Sequence, residues 1–284
     1  MTKNSFKFLK GNSLQLLQDL PNNLFDAGVT SPPYNKQENK KGWLVKNVKY
    51  DNASDKKNEN NYQSEQIAVL NELYRIIKPG GSFFYNHKIR WEKGDMLHPI
   101  AWLSKTNWTI RQEIIWDRII AANIRGWRFW QIDERIYWLY KPKNNHKIGD
   151  ELESRHAKMT SVWRFPPERK NGHPAPFPLL LPLRCLYSVM PNKNGLVIDP
   201  YVGSGTTLVA AKILGHGGHG IDISGDYIIK AKNRLDKYLM EKENANKEIS
   251  LHKVLDTFKN KKENGYRVGK FAPNISFMQN ELSL

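Results

Sequence analysis

Leu196-Val197-Ile198-Asp199-Pro200-Tyr201-Val202-Gly203-Ser204-Gly205-Thr206-Thr207 decides the fold. Three consecutive aliphatic residues read as a short buried strand, a loop with two glycines follows, and a helix takes over at Leu208. Strand, glycine loop and helix in that order hold nucleotides in doubly wound α/β sheets. The glycines let a ligand approach the backbone, and the first helical turn offers unbonded amides. Downstream, Ile221-Asp222-Ile223 ends another strand, with a carboxylate near the spacing at which an acid meets ribose hydroxyls. A glycine turn that binds nothing is the plainer alternative, but it does not require the acid.

The ligand class follows by elimination. A phosphate-cradling P-loop needs Gly-Lys-Ser/Thr at the helix start, and no lysine is there; Leu208 stands where a dinucleotide fingerprint needs its third glycine. The set suits a ligand without a pyrophosphate, such as S-adenosylmethionine, with Asp199 at its ammonium group and Asp222 at its ribose.

The rest of the chain fits around that unit by alternating strand and helix patterns. Residues 6–9 read as a strand, and Gly11-Asn12 as a turn. A helix capped by Ser13 follows, with Leu14, Leu16, Leu17 and Leu20 on its apolar side. Residues 25–29 form a strand, 66–77 a helix, 78–81 (Lys-Pro-Gly-Gly) a turn, and 82–85 a strand. A helix over 97–103, strands over 109–116 and 134–140, a helix over 179–190, a turn over 215–220 and a helix from Tyr227 past Tyr238 complete the pattern. This alternation predicts an α/β fold with a mostly parallel sheet. Residues 36–62 read as a polar lid and 241–284 as a peripheral tail after a domain spanning 1–240. Residues 141–172 are a basic irregular segment carrying Trp163 and Phe165, which suits nucleic-acid contact by phosphate pairing and stacking or, equally, a surface loop anchored by those two residues.

Thr30-Ser31-Pro32-Pro33-Tyr34-Asn35 closes the 25–29 strand. Adjacent prolines fix their own φ and hold the preceding residues extended, so the turn is stiff. The Ser31 hydroxyl and the Pro32 carbonyl can accept the hydrogens of a planar amino group while the Tyr34 ring stacks on its base. A turn that merely ends a strand accounts for Pro and Tyr equally well when this stretch is taken alone.

The chain has 284 residues, 44 Lys and Arg against 28 Asp and Glu, a net charge of +16 and a pI near 9.7. With aromatics interleaved among the basic residues, notably Trp127, Phe129 and Trp130 beside Arg125 and Arg128, the charge points to nucleic acid. Cys185 is the only cysteine, which leaves no disulfide framework or cysteine metal cluster. No apolar run has the length of a membrane span and no signal-peptide core opens the chain, so a cytoplasmic protein without membrane attachment is expected.

Together, Ser31-Pro-Pro-Tyr34 and Asp199-Pro-Tyr-Val-Gly-Ser-Gly-Thr-Thr207 resemble the bacterial amino-group DNA methyltransferases, in the permuted β group where the catalytic motif precedes the cofactor motif. Lys78-Pro-Gly-Gly81 resembles the turn before that family's fifth strand. The resemblance covers about residues 6–240 and implies a Rossmann-like S-adenosylmethionine-dependent methyltransferase fold with helices on both faces of the sheet and permuted motif order.

Ser31, Pro32, Pro33 and Tyr34 would then be catalytic, acting on a base flipped out of the duplex. Asn12, Thr30, His173, Pro174, Pro176, Phe177, Asp199, Pro200, Tyr201, Gly203, Ser204, Gly205, Thr206, Thr207 and Asp222 would hold S-adenosyl-L-methionine, with no metal. Double-stranded DNA is the implied partner, with 141–172 as the expected target-recognition segment and the 36–62 lid as a second DNA-contacting region; a cognate restriction endonuclease and a second copy of the chain are further candidates. Within the family Ser at the first catalytic position favours N4 of cytosine over N6 of adenine. Methylation at carbon 5 needs a cysteine nucleophile, and Cys185 reads as a core filler. Adenine methylation, a silent DNA-binding specificity subunit and an RNA methyltransferase are the competing expectations.

Overall fold

Side chains along a strand alternate between faces, and here that alternation sorts the core into two layers. The computed structural model describes residues 5–35, 57–121, 124–144, 147–148, 159–168 and 177–252. Among them, the first part of the chain comprises β1 (Phe6–Lys10), α1 (Ser13–Gln18), β2 (Phe25–Thr30), α2 (Glu59–Ile76), β3 (Ile77–His87), β4 (Arg90–Glu92), β5 (Asp95–Leu97), α3 (Ile100–Leu103), β6 (Thr109–Asp117), β7 (Asp133–Tyr140) and β8 (Val162–Arg164). The second comprises α4 (Leu180–Val189), β9 (Leu196–Asp199), α5 (Thr206–Ile213), β10 (Gly217–Asp222), α6 (Gly225–Asp236) and α7 (Leu239–His252).

Eight strands form one sheet in the order β1-β10-β9-β2-β3-β7-β6-β8, and β4 with β5 makes a separate small hairpin. The strands from β1 to β3 pair in parallel, β7 is antiparallel to both β3 and β6, and β8 is parallel to β6. The late strand β9 lies beside the early strand β2, with Ala27 opposite Val197 and Gly28 opposite Ile198. Two motifs far apart in sequence therefore end side by side at the carboxyl edge of the sheet, where open α/β folds bind ligands.

One face of the sheet contributes Ala27, Val29, Phe84, Ile136, Trp138 and Val197 to a core with Leu181 and Cys185 of α4, Ala210 of α5 and Ala245 of α7. The other contributes Phe25, Phe83, Tyr85, Tyr137, Leu139 and Ile198 to a core with Leu17 of α1, Leu70 and Leu73 of α2 and Trp102 of α3. Helices cover both faces, as expected of this fold class. Cys185 is fully buried and burial raises its thiol pKa, in keeping with a core filler.

Several local expectations are corrected. Asn12, not Ser13, caps α1, its side-chain oxygen accepting from the Gln15 amide at 3.2 Å; Ser13 Oγ instead donates to the Pro200 carbonyl. The glycines of 217–220 form strand β10 rather than a turn. The reason is space: a Cβ on Gly218 would sit 2.7 Å from Leu208, and one on Gly220 2.7 Å from Val202. The 78–81 turn is a register shift within β3, with Gly80 in the left-handed region at φ +84°.

Helix α2 starts at Glu59, so the last residues of the expected lid are helical, and 36–56 lie outside the described residues. The 97–103 helix is reduced to Ile100–Leu103, with residues 95–97 in β5. The tail boundary at 240 also moves, because α7 packs Ala245, Glu248 and His252 inward. Glu248 bonds Arg184 of α4 and His252, both at 2.6 Å. Burial opposes its charge, but these two partners outweigh burial and bring its pKa down to about 2. Residues 253–284 lie outside the described residues.

Candidate active site

Asp199 ends β9 and Thr30 ends β2, and the pairing of those strands brings the side chains together. Thr30 Oγ1 donates to Asp199 Oδ1 at 2.7 Å, and the Tyr201 amide donates to the same oxygen at 3.0 Å. Oδ2 is buried with no partner. Burial, only partly offset by the bonds from Thr30 and the Tyr201 amide, pushes the carboxyl up to about 6. A buried oxygen of this kind costs free energy until a donor reaches it, so Oδ2 is an unused acceptor beside the glycine loop.

The glycine loop is built by close approach. Gly203 and Gly205 take left-handed φ values of +46° and +84°, and a Cβ on Gly205 would lie 2.9 Å from the Ala231 Cβ of α6. Asp222, at the end of β10, accepts the Gly203 amide on Oδ2 at 3.0 Å and the Ser224 amide on Oδ1 at 2.9 Å. Each oxygen keeps a second lone pair, and burial raises this carboxyl despite the two amides. Thr207 Oγ1 donates to the Val29 carbonyl at 3.2 Å and so ties α5 to β2.

The remaining predicted cofactor residues divide. The Ser204 and Thr206 hydroxyls both face the Arg234 guanidinium of α6, at 3.3 and 2.8 Å, and serve the loop's own structure. Pro200 receives the Ser13 hydroxyl, Asn12 caps α1 through Oδ1 while remaining exposed, and Phe177 sits in the core. His173, Pro174 and Pro176 lie outside the described residues.

Beyond Thr30 the stiff turn carries Ser31 and Tyr34 toward the end of β3. Ser31 Oγ lies 2.5 Å from the Tyr34 hydroxyl, which donates to Glu134 Oε2 at 2.9 Å. Asn86 Nδ2 donates to Tyr34 Oη at 2.8 Å, to Glu134 Oε2 at 2.9 Å and to Ser31 Oγ at 3.3 Å, leaving its buried Oδ1 without a partner. Arg118 bonds the other oxygen of Glu134 at 2.7 Å. Burial favours the neutral acid, yet the Arg118 and Lys88 charges and the bonds from Asn86 and Tyr34 outweigh it, and Glu134 is held below the ordinary carboxylate range.

The Tyr34 ring is only 6% exposed and packs against His87, centroids 4.6 Å apart. It is therefore not the open stacking platform expected of it; its hydroxyl is the committed group. Tyr62 braces the turn from α2, its hydroxyl 2.9 Å from the Pro33 carbonyl and 2.8 Å from His87 Nε2.

Glu134, Asn86 and Arg118 escape a reading of the sequence alone. The available signal is Asp133-Glu134-Arg135, three charges opening a strand that continues Ile-Tyr-Trp-Leu-Tyr. The antiparallel register of β7 on β3 then brings Glu134 next to the turn.

The basic segment 141–172 is largely structural where it is described. Trp163 and Phe165 are core residues, Arg164 pairs with Asp117 at 2.8 Å, and Lys141 donates to the Ile77 and Tyr74 carbonyls at 2.6 and 2.8 Å. Trp163 and Phe165 are not free to stack on bases, and Lys141 is held by carbonyls, whereas Arg164 remains exposed beside Asp117; residues 145–146, 149–158 and 169–172 lie outside the described residues.

The N6/N4 DNA methylase family profile matches residues 25–233. Type II methyltransferase M.ScaI of Streptomyces caespitosus is 27% identical over 80% of this chain and 80% of its own, and M.HpaI of Haemophilus parainfluenzae 28% over 81% and 74%. The PvuII DNA methyltransferase (cytosine-N4-specific) superposes with a TM-score of 0.65 at 16% identity, covering 89% of this chain and 97% of its own. A DNA modification methylase of Thermus thermophilus, complexed with S-adenosyl-L-methionine, gives 0.61 at 23% identity over 82% and 94%. The chain belongs to the N6/N4 DNA methylase family; it is a DNA amino-methyltransferase that uses S-adenosyl-L-methionine.

Proposed function

We propose that this DNA amino-methyltransferase acts on the N4 amino group of cytosine in duplex DNA, as the modification half of a type II restriction–modification system. The observation that carries the reading is the Thr30–Asp199 bond, which joins the amino-group turn to the glycine loop at the carboxyl edge of the sheet. Ser31 at the first catalytic position favours cytosine, and the type II relatives support the biological setting.

The residues present fit S-adenosyl-L-methionine: the unpartnered Asp199 Oδ2 suits its ammonium group, and the open lone pairs of Asp222 suit its ribose hydroxyls. When bound, the cofactor supplies an electrophilic methyl carbon. The protein's task is then placement of the nucleophile and removal of a proton.

An exocyclic amino nitrogen is a poor nucleophile because its lone pair is delocalised into the ring. Ser31 Oγ and the Pro32 carbonyl would accept its two hydrogens and draw the lone pair back to nitrogen. Once methylated, that nitrogen is far more acidic than a carboxylic acid, so a weak base suffices. Its proton passes to Ser31 Oγ as the Ser31 proton moves to Tyr34 Oη and the Tyr34 proton to Glu134 Oε2; the short Ser31–Tyr34–Glu134 chain supports this route. Every oxygen between the ends of the chain gains one proton and gives one up, and the ionised Glu134 takes the last.

Mass spectrometry of nucleosides from DNA incubated with the protein and S-adenosyl-L-methionine tests the assignment. N4-methylcytosine is expected; N6-methyladenine would overturn the choice of base, and methylation of RNA alone the choice of substrate.

A further inference from the structure

Residues 118–132, Arg-Ile-Ile-Ala-Ala-Asn-Ile-Arg-Gly-Trp-Arg-Phe-Trp-Gln-Ile, contain three arginines and no acid. Seven of the sixteen exposed large hydrophobic residues of the described chain fall between Ile119 and Ile132. Phe129 is 98% exposed, Trp130 64% and Trp127 58%. Apolar surface concentrated in this way marks an interaction site.

The stretch 124–132 is braced rather than collapsed. Arg128 lies with its guanidinium 3.9 Å above the Trp91 ring, Trp127 meets Trp91 edge-on at 6.3 Å, and Gln131 Nε2 donates to the Ile89 carbonyl at 3.2 Å. These contacts anchor the stretch to β4 and leave Phe129 and Trp130 projecting. Between the stretch and the β4–β5 hairpin is a cavity of about 410 Å³, with Lys88, Lys93, Arg125 and Arg128 in its wall beside Trp91 and Trp127. Of its two acids, Glu59 is neutralised by a two-pronged bond to Arg90, both contacts 2.7 Å, and Glu92 stands against the four cations. The cavity wall also includes Asn35, the neighbour of Tyr34, and the stretch leads through Asp133 into Glu134 of the proton chain.

We infer that Phe129 and Trp130 form an aromatic wedge that enters the base stack of duplex DNA and fills the gap left by the extruded target base, while Arg125 and Lys93 hold the adjoining phosphates. The inference rests on the DNA-methylating function proposed above. The cationic, acid-free stretch suits a polyanion, and an exposed aromatic tip joined to the catalytic network suits insertion beside the target. Extrusion costs stacking and pairing energy, and a wedge lowers that cost by restoring stacking contacts in the vacated position.

The test is single-turnover methylation by wild type and by Phe129→Ala on two duplexes that share the chain's methylation site, located first by mapping the bases that wild type modifies. In one duplex the target is paired; in the other it faces an abasic site and needs less energy to leave the stack. Phe129→Ala is expected to be slower by about tenfold or more on the paired duplex and within about threefold of wild type on the unpaired one. Its affinity for S-adenosyl-L-methionine should match wild type by calorimetry. Equal loss on both duplexes, no loss on either, or conversion of a dimer to a monomer with equal loss would overturn the wedge while an active wild type keeps the function intact. A wild type inert on all DNA would overturn the function and the wedge with it.

Discussion

The glycine-loop pocket and the 124–132 face stand at opposite extremes of preparation. The pocket is buried, its carboxylates are fixed by amide and hydroxyl bonds, and among the described residues Asp199 Oδ2 is left as an unpartnered acceptor. The face is exposed, cationic and aromatic, and its bracing contacts are side-chain stacks rather than backbone bonds. The pocket must hold one small molecule in one pose, which requires fixed atoms. The face must meet a long polymer, whose charge and stacked bases are recognised by cations and rings with less exact placement. Between them lies the Ser31–Tyr34–Glu134 chain, buried like the pocket but reached from the face.

Substitutions in that shared chain should have the largest effect. Ser31→Ala and Tyr34→Phe are each expected to slow methyl transfer by about 10²- to 10⁴-fold, with cofactor affinity within about twofold of wild type by calorimetry. Near-normal single-turnover rates in both variants would separate the chemistry from this network.

Glu134→Gln comes next, with an expected loss of about 10- to 100-fold if the carboxylate serves as the final proton acceptor. Because Glu134 is held below the ordinary carboxylate range, the wild-type rate at saturating cofactor should show no titration of this group between pH 6 and 8. The same substitution leaves the half-buried Arg118 without its counter-ion, so a loss of about 1–3 kcal/mol in unfolding free energy is expected as well. Rates are therefore compared at a temperature where circular dichroism shows the variant folded, and a folded variant at wild-type rate would remove Glu134 from the reaction.

The pocket can be probed without chemistry. Asp199→Asn should weaken S-adenosyl-L-methionine binding by about 10- to 100-fold, the worth of one charge-assisted bond. With the wild-type carboxyl near 6, cofactor binding requires loss of a proton below that value. The dissociation constant should rise about tenfold per pH unit as pH falls below 6 and level off above it. A flat titration from pH 5 to 8 would show that Asp199 does not meet a cation.

Stability offers the finest contrast. Gly205→Ala forces a side chain into the left-handed region and against Ala231, and should cost about 1–3 kcal/mol in urea unfolding. Trp130→Ala on the exposed face should shift stability by no more than about 0.5 kcal/mol. Comparable losses in the two would erase the distinction between a built pocket and a presented face.

Residues 196–207 made the α/β class legible because strand, left-handed glycines and helix start are local requirements, written where they act. The Ser31–Tyr34 turn was legible for the same reason: proline stiffness needs no partner. Reading failed where a residue's environment comes from elsewhere. Trp163, Phe165 and Lys141 have the composition of a nucleic-acid contact, yet β8 pairing and distant carbonyls take them into the fold. Glycines that suggest a turn at 217–220 are strand residues, because α5 and the 200–205 loop pack too closely for side chains.

By itself, then, the sequence determined the two motifs, the permuted order that separates them, and the charge that calls for a polyanion. Only the tertiary structure decided that β9 lies beside β2, so that Thr30 reaches Asp199, and that β7 runs antiparallel to β3, so that Glu134 reaches Tyr34. The physical reason is range: backbone propensities act over a few residues, whereas a buried carboxylate's partners are set by strand order and register, which depend on the whole core.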